Sequence, residues 1–211
     1  NRKGDEDNRL LGRMNYRRLE VEPLRDAILL VSGGLDLNRP SGTKITLSEV
    51  TGSDTIKLTV PEQFNTNTRT VYLPVARSLL PEMLKLFDFA DPNMVIGRRD
   101  QRTMASQAMY LMNSPFAVEH AQASARRLLS DAELDTPGRI ALAYRRFFSR
   151  VPTETEVKAA AEFIRQSEAE NLRRADSQAK DATQAESFKS LDAWTAFCQV
   201  LLASAEFRYL E

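Results

Sequence analysis

Residues 87–116 read FDFADPNMVIGRRDQRTMASQAMYLMNSPF. Carboxylates at Asp88 and Asp91 and guanidinium groups at Arg98, Arg99 and Arg102 lie here between blocks of aromatic and methionine side chains. A charge that is surrounded by apolar groups requires a partner, because an isolated buried charge is very costly. The stretch is therefore the expected centre of the fold and the first candidate for a functional site.

Length and charge limit the classes of protein to consider. The chain has 211 residues and equal numbers of basic and acidic residues, 29 each. A chain of this size can bury roughly 70% of its unfolded surface, so it needs no disulfide or metal to hold a core. The balanced charge predicts no nucleic-acid partner, although the pairs Arg126–Arg127 and Arg145–Arg146 would suit one. No apolar run approaches the ~20 residues of a transmembrane helix.

Sequence motifs exclude several common chemistries. Cys198 is the only cysteine, which excludes an internal disulfide and a cysteine-based zinc site. C-x-x-C-H, H-E-x-x-H, the glycine-rich phosphate loops and G-x-S-x-G are all missing. We therefore predict no catalytic residue, no metal ligand and no cofactor in this chain, and we favour a protein that is not an enzyme.

Local patterns predict a mainly α fold, a helical bundle with a small β-hairpin insertion. Residues 41–75 form the predicted β-rich insertion, because Ile45 and Leu47, and then Ile56, Leu58 and Val60, alternate with polar residues about a turn at residues 51–54. The following RTVYLPVAR is expected to be extended. One helix is predicted to begin at Asp7 and a second to end at Gly33–Gly34. Further helices are predicted to begin after Pro81, Ser114, Thr136 and Thr153, and a last helix to span residues 190–207.

The domain organisation follows from the same patterns. We expect residues 1–211 to form one mostly helical domain that is cut from a longer chain. Residues 171–188 contain only two bulky apolar side chains, Leu172 and Phe188, and are expected to be a solvated helical extension or a mobile link. In the last helix Trp194, Phe197, Cys198, Leu201 and Leu202 share one side and should close the bundle.

Two interpretations of the central charges stay open. In the first, Asp88 accepts hydrogen bonds from an arginine, Asp91 initiates a turn, and one of Arg98, Arg99 and Arg102 pairs with these carboxylates while the others are solvated. In the second, the arginines hold a phosphate, sulfate or sugar carboxylate by paired hydrogen bonds. Gln107 and Asn113 are expected to bond backbone groups at helix ends, and Met104, Met109, Met112 and Tyr110 to fill the core.

Four other residues are expected to have mainly structural roles. His120 is interpreted as a helix-surface or half-buried histidine rather than a titrating switch. Cys198 is interpreted as a buried, inert thiol. Arg25 and Asp26 are expected to form a solvated edge of their helix.

Four stretches resemble a known family: NRLLGRMNYRRLEVEPLRDAILLVSGGLD, VYLPVARSLLPEMLKLFDFADPNMVIGRRDQRTMASQAMYLMNSPF, YRRFFSRVPTETEV and WTAFCQVLLASAEF. They resemble the C-terminal domain of uncharacterised function in large secreted planctomycete cytochrome c-like proteins. The recurring positions of the family's central motif are matched by Arg77, Phe87, Asp88, Asp91, Arg98, Arg99, Thr103, Gln107, Leu111, Asn113 and Pro115.

The resemblance implies a periplasmic or extracellular protein whose full-length form carries haem in another domain or on a partner. The genomic settings of the family imply use of polysaccharides or sulfated glycans. The resemblance gives no catalytic residue that could be assigned to this chain. We therefore expect a non-catalytic structural or interaction module that docks onto other domains of the same polypeptide, haem proteins or a cell-surface assembly. The alternative is a domain that binds or processes acidic or sulfated glycans around Asp88, Arg98 and Arg99.

Overall fold

The computed structural model describes residues 5, 7–41, 66–73, 75, 80–175 and 182–210. These residues form eight α-helices, two short strands and one 3₁₀ turn. In chain order the elements are β1 (Arg17–Arg18), α1 (Val21–Ser32), the 3₁₀ turn (Thr70–Tyr72), α2 (Glu82–Leu86), α3 (Ala105–Asn113), α4 (Pro115–Leu129), α5 (Thr136–Phe148), α6 (Glu154–Ala175), α7 (Ala182–Ala203), α8 (Ala205–Arg208) and β2 (Tyr209–Leu210).

The prediction of a mainly α protein with a small antiparallel β element is confirmed. The strands that pair are β1 and β2, with Arg17 opposite Leu210 and Arg18 opposite Tyr209. They join the two ends of the helical body. Most of the predicted hairpin, residues 42–65, lies outside the described residues.

The ends of α1 show how local sequence defines a helix. Pro23 lies in the first turn, where a missing N–H group removes no helical hydrogen bond. Gly33 ends the helix as predicted, with a φ of 80° that favours glycine. Arg127 of α4 donates to the carbonyl oxygen of Val31 at 2.7 Å, and thus satisfies a backbone group left open at the helix end.

Other helix starts agree with their capping signals. Ser114 accepts from the N–H of Ala117 before α4, and Thr153 and Glu156 form the predicted reciprocal cap of α6. The start of α5 differs by one residue, because the Asp135 carboxylate takes the N–H of Gly138.

Two predicted elements were wrong. The segment after Asp7 is not a helix, because the side chain of Asp5 accepts from the N–H groups of Arg9 and Leu10 and holds a turn. Thr70–Tyr72 is a 3₁₀ turn and not extended.

The single helix predicted over residues 190–207 divides at Ser204, which caps the short α8 by accepting from the N–H of Phe207. The polar segment at residues 171–188 is helical at both of its described ends, 171–175 and 182–188.

The hydrophobic core lies around α4 and α7. Helix α4 packs against α1, α3 and α7, and α7 also packs along α6. Helix α7 contributes the apolar side that the sequence predicts, and α5 and α8 close the core at one end, where Phe147 and Phe207 are 5.8 Å apart between ring centroids. The largest fully buried apolar side chains are Leu24, Ile28, Leu29, Leu84, Leu111, Leu128, Ile140 and Leu202. Within the described part of the chain, no helix is long and apolar enough to cross a membrane.

The described ends of the 41–75 region lie side by side. The N–H of Asp36 donates to the carbonyl oxygen of Asn67 at 2.8 Å, and Asp36 and Thr68 form a parallel bridge. Residues 36 and 67–68 therefore lie next to each other, while the insertion itself stays a prediction.

The expectation that Arg25 and Asp26 form a solvated edge was wrong. Arg25 is buried and donates to the carbonyl oxygens of Thr66 and Thr68, and Asp26 accepts from the N–H of Thr70 at 2.7 Å. These bonds anchor the returning chain to α1. The partners are about forty positions away along the chain, so no local pattern could indicate them.

We predict that two substitutions two residues apart on α7 have very different effects. Leu202→Ala should lower the free energy of unfolding by about 2–5 kcal/mol, because Leu202 is fully buried and the truncation leaves a cavity. Val200→Ala, at a site that is 51% exposed, should change it by less than about 0.5 kcal/mol. Urea unfolding followed by circular dichroism gives both values. Equal effects would contradict the position of α7 in the core.

Candidate functional site

The central charged residue of the predicted site, Asp88, is held inside the protein. It follows α2 with a φ of 61°, in the left-handed region that aspartate adopts more readily than most residues. Its carboxylate accepts from Nη2 of Arg18 at 2.7 Å and from the N–H of Arg102 at 3.0 Å. The side chains of Arg18 and Asp88 are only 8% and 11% exposed. We call this buried pair, together with Gln107, the clasp.

Gln107 completes the clasp from the first turn of α3. Its side chain is fully buried, and its Nε2 donates to the carbonyl oxygens of Leu86 at 2.9 Å and Arg102 at 3.0 Å. Its Oε1 accepts from Nη1 of Arg18 at 3.3 Å, and the same guanidinium also donates to the carbonyl oxygen of Arg102. Every polar end of the amide therefore has a partner, as a buried amide requires. The clasp joins β1, the end of α2, the loop before α3 and α3 itself.

The partner predicted for Asp88 was wrong. Asp88 does accept from an arginine side chain, but the arginine is Arg18 and not one of the nearby cluster. Arg102 contributes its backbone to the clasp, while its side chain pairs with Asp100 in solvent. The sequence interpretation missed Arg18 because it lies seventy positions before Asp88, and a buried ion pair leaves no spacing signal between its two members.

Arg99 has two acidic partners that the sequence analysis also missed. Its Nη1 donates to Glu20 at 3.0 Å and to Glu22 at 2.8 Å, and its guanidinium lies 4.9 Å from the centre of the Phe89 ring. The hydrogen bond with Glu22 is the main reason why the pKa of Arg99 is raised above its usual value. The side chain is thus fixed in direction although it is 29% exposed.

Arg98 lies beside Arg99 but is solvent-exposed, and no ion pair or hydrogen bond of its side chain occurs within the described ranges. It lines an open cavity of about 720 Å³, which we call the arginine groove. Its lining residues come from two segments of the chain, 14–20 and 98–101. The lining side chains are those of Met14, Asn15, Tyr16, Arg17, Glu20, Arg98, Arg99 and Gln101.

A second groove of about 390 Å³ lies on the other side of Arg98. Asp91 is at its edge and forms the predicted turn, accepting from the N–H of Asn93 at 2.8 Å. Asp88 reaches this groove with only a small part of its surface.

The predicted site residues are divided between the clasp and the two grooves, and Asp88, Asp91 and Arg98 together line the second groove. Asp88 and Gln107 belong to the buried clasp, whereas Arg98 and Arg99 line the arginine groove. Asp91 lies at the second groove. Asn113 is exposed at the end of α3 and donates to the carbonyl oxygen of Met109 at 2.9 Å, the expected bond at a helix end. Arg77 lies outside the residues that the structure describes.

Several methionines predicted to lie in the core are on the surface instead. Met104, Met109 and Met112 are 49%, 61% and 54% exposed, because α3 turns Gln107 and Leu111 inward and these positions outward. Tyr110 packs partly against the core. Further large apolar side chains are exposed before α1 and α3: Leu10, Leu11, Met14, Tyr16, Met94, Val95 and Ile96.

His120 and Cys198 both have structural positions. His120 is 7% exposed, its Nδ1 lies 3.0 Å from Oγ of Ser32, and its ring meets Phe116 edge to face. Burial is the main cause that lowers the pKa of His120. Cys198 is buried as predicted, and burial raises the pKa of its thiol, which keeps it protonated and unreactive. No group of three or more His, Cys, Asp or Glu side chains that could hold a metal ion occurs in the described part of the chain.

The fold and the clasp define a mainly helical domain in which a buried ion pair joins several segments. A family model described as PSD1, a protein of unknown function (DUF1553), matches residues 1–164, and the chain belongs to this family. The match agrees with a resemblance to an uncharacterised domain. No curated protein and no solved structure matches the chain.

We predict that Arg18→Met lowers the free energy of unfolding by about 3–5 kcal/mol, because it leaves the Asp88 carboxylate buried without its cation. Arg17→Met removes the same charge at a side chain that is 63% exposed, and should cost less than about 0.5 kcal/mol. The double variant Arg18→Met/Asp88→Asn should recover part of the loss, since no buried charge is left. Urea unfolding measures all three; equal costs for the two arginine variants would show that the pair is not buried.

We also predict that the stability of the protein falls as the pH drops below about 6.5, the usual pKa of an unfolded histidine. The folded protein holds His120 neutral at a lowered pKa, so the unfolded chain binds the proton first and acid favours unfolding. His120→Gln should remove this part of the pH dependence. The free energy of unfolding of both proteins is measured at about pH 7.5 and about pH 5.5. Because His120 is the only histidine, the difference between their pH dependences gives its contribution. Parallel stability curves over this range would contradict the prediction.

Proposed function

We propose that the chain is a non-catalytic interaction module of a larger exported protein. It docks onto other domains of the same polypeptide, onto haem-bearing proteins or onto a cell-surface assembly. The observation that carries the proposal is the difference in burial between the polar and the apolar side chains around the clasp. The charged and amide groups most suited to chemistry are engaged inside the protein, while large apolar groups beside them are open to solvent.

The position of Asp88 supports a structural role. A general acid or base must reach the proton that it transfers, within about 2.6–3.2 Å of a substrate atom. The Asp88 carboxylate instead accepts from Arg18 and from the backbone of Arg102, and is 11% exposed. Those bonds leave little of the carboxylate to contact a substrate.

The loop before α3 supports a docking role. Val95 is fully exposed, and its neighbours Met94 and Ile96 are 65% and 40% exposed. A partner that covers consecutive apolar side chains removes their surface from water, which lowers the free energy of the complex. Methionine and arginine are also enriched in protein interfaces, and both occur along this loop.

A second function, binding of an acidic or sulfated glycan, is favoured by the arginine groove. Arg98 and Arg99 could hold a sulfate or carboxylate there, and Tyr16 offers a ring beside them. The clasp, however, engages Asp88 away from this groove, so a processing enzyme would lack that carboxylate as its acid or base. Turnover of a glycan that is abolished by Asp88→Asn would overturn the non-catalytic function.

The docking function predicts a specific cross-linking pattern. A photoreactive amino acid at position 95 of the full-length protein, expressed in its own cells, should cross-link to a defined site on another domain or protein. The same group at position 158, an exposed lysine on α6, serves as the control. Mass spectrometry of the cross-linked peptides identifies the contact. A yield at position 95 no higher than at position 158, with no recurrent partner site, would refute docking through this loop.

A further inference from the structure

Three guanidinium groups line the arginine groove, and those of Arg98 and Arg99 differ in how firmly other side chains fix them. Arg99 is fixed by Glu20 and Glu22 through Nη1, and its flat face lies on Phe89. Its Nε and Nη2 atoms make no hydrogen bond to any residue that the structure describes. These two N–H groups point from one edge of the guanidinium, which is the edge that a carboxylate contacts with two parallel hydrogen bonds. Arg98 adds a second cation, whose side chain makes no ion pair or hydrogen bond with the residues that the structure describes.

The local charge of the groove is positive although the whole chain is neutral. Its lining contains Arg17, Arg98 and Arg99 against one acidic residue, Glu20. Glu22, just beyond the lining, compensates one more positive charge. A negatively charged ligand is therefore favoured at this place, and a cationic one is opposed.

Apolar side chains form part of the same groove. Met14 and Tyr16 line it and are 57% and 54% exposed. A ligand that covers them gains from their removal from water only if its own contacting surface is apolar. Met14 therefore favours a peptide with apolar side chains over a glycan, whose surface is rich in hydroxyl groups, whereas the Tyr16 ring suits either ligand.

The segments that line the groove suit an extended chain. Residues 14–16 and 98–101 are non-helical and supply most of the lining side chains. In an extended peptide alternate side chains project to the same face about 6.6 Å apart, so acidic groups can project to one face and apolar groups to the other. We propose that the arginine groove binds an extended, acidic segment of a partner protein. Its carboxylates contact Arg98 and Arg99, and its apolar side chains cover Met14 and Tyr16.

This site rests on the proposed docking function and names the chemistry of the partner segment. The probe is a short fluorescent peptide of alternating glutamate with leucine or phenylalanine, titrated into the whole chain and followed by fluorescence anisotropy. Binding should weaken at least about tenfold in Arg98→Ala, which removes a charge-assisted hydrogen bond. It should also weaken when salt is raised, since the groove is open to solvent.

The control variant is Arg165→Ala, which removes the same charge from an exposed position on α6 and should bind like the wild type. A peptide with glutamine in place of glutamate should lose the affinity. Folding is not at risk in Arg98→Ala, because the Arg98 side chain is exposed; its unfolding curve should match that of the wild type.

Three results would overturn the site. They are no binding of the peptide, binding that Arg98→Ala leaves unchanged, and preferential binding of a heparin-derived oligosaccharide that Arg98→Ala abolishes, which would make the groove a glycan site. The cross-linking experiment distinguishes a failure of the docking function from a failure of this groove alone. If position 95 still cross-links to a partner while the groove binds no acidic peptide, the module docks, but through the apolar loop and not through this groove.

Discussion

The buried ion pair between Arg18 and Asp88 is the constraint on which the arrangement of this domain depends. Bringing two charges out of water costs several kcal/mol for each, and their attraction offsets this cost only when the remaining hydrogen-bonding groups are also satisfied. Here Gln107 and the backbone of Arg102 provide those partners. The pair can be satisfied only when β1, the end of α2 and the start of α3 are together. We therefore regard its main contribution as selecting one arrangement of these segments rather than as adding net stability.

Sequence predicted the helices well because their signals are local. A cap such as Ser114, a stop such as Gly33 and the reciprocal Thr153–Glu156 cap each depend on atoms within a few residues, so the pattern and its cause lie in the same short segment. The one-residue error at α5 has the same origin. Asp135 and Thr136 are both good cap residues, and only the backbone geometry decides between them.

The candidate site was harder to predict because its partners are distant along the chain. The charged residues of the central stretch could be selected by composition, but their pairing depends on which segments the fold brings together. Arg18 and Arg98 are the same residue type, and one is buried in the clasp while the other is exposed at the groove. The exposed methionines of α3 show a related limit. Gln107 occupies an inward position that an apolar pattern would assign to methionine, so the phase of the helix was misjudged.

The clasp and the arginine groove are physically connected. Glu20 lines the groove and pairs with Arg99, and Arg18, which lies between the lining residues Arg17 and Glu20, donates to the carbonyl oxygen of Arg102 in the clasp. These contacts tie the two segments that line the groove to each other in the absence of a ligand. A groove that is already ordered loses less conformational entropy on binding, so more of the interaction energy contributes to affinity. Strand β2 lies outside the matched residues 1–164 but pairs with Arg17 and Arg18 of β1, so the position of the groove-lining Arg17 also depends on a part of the chain that the family match does not include.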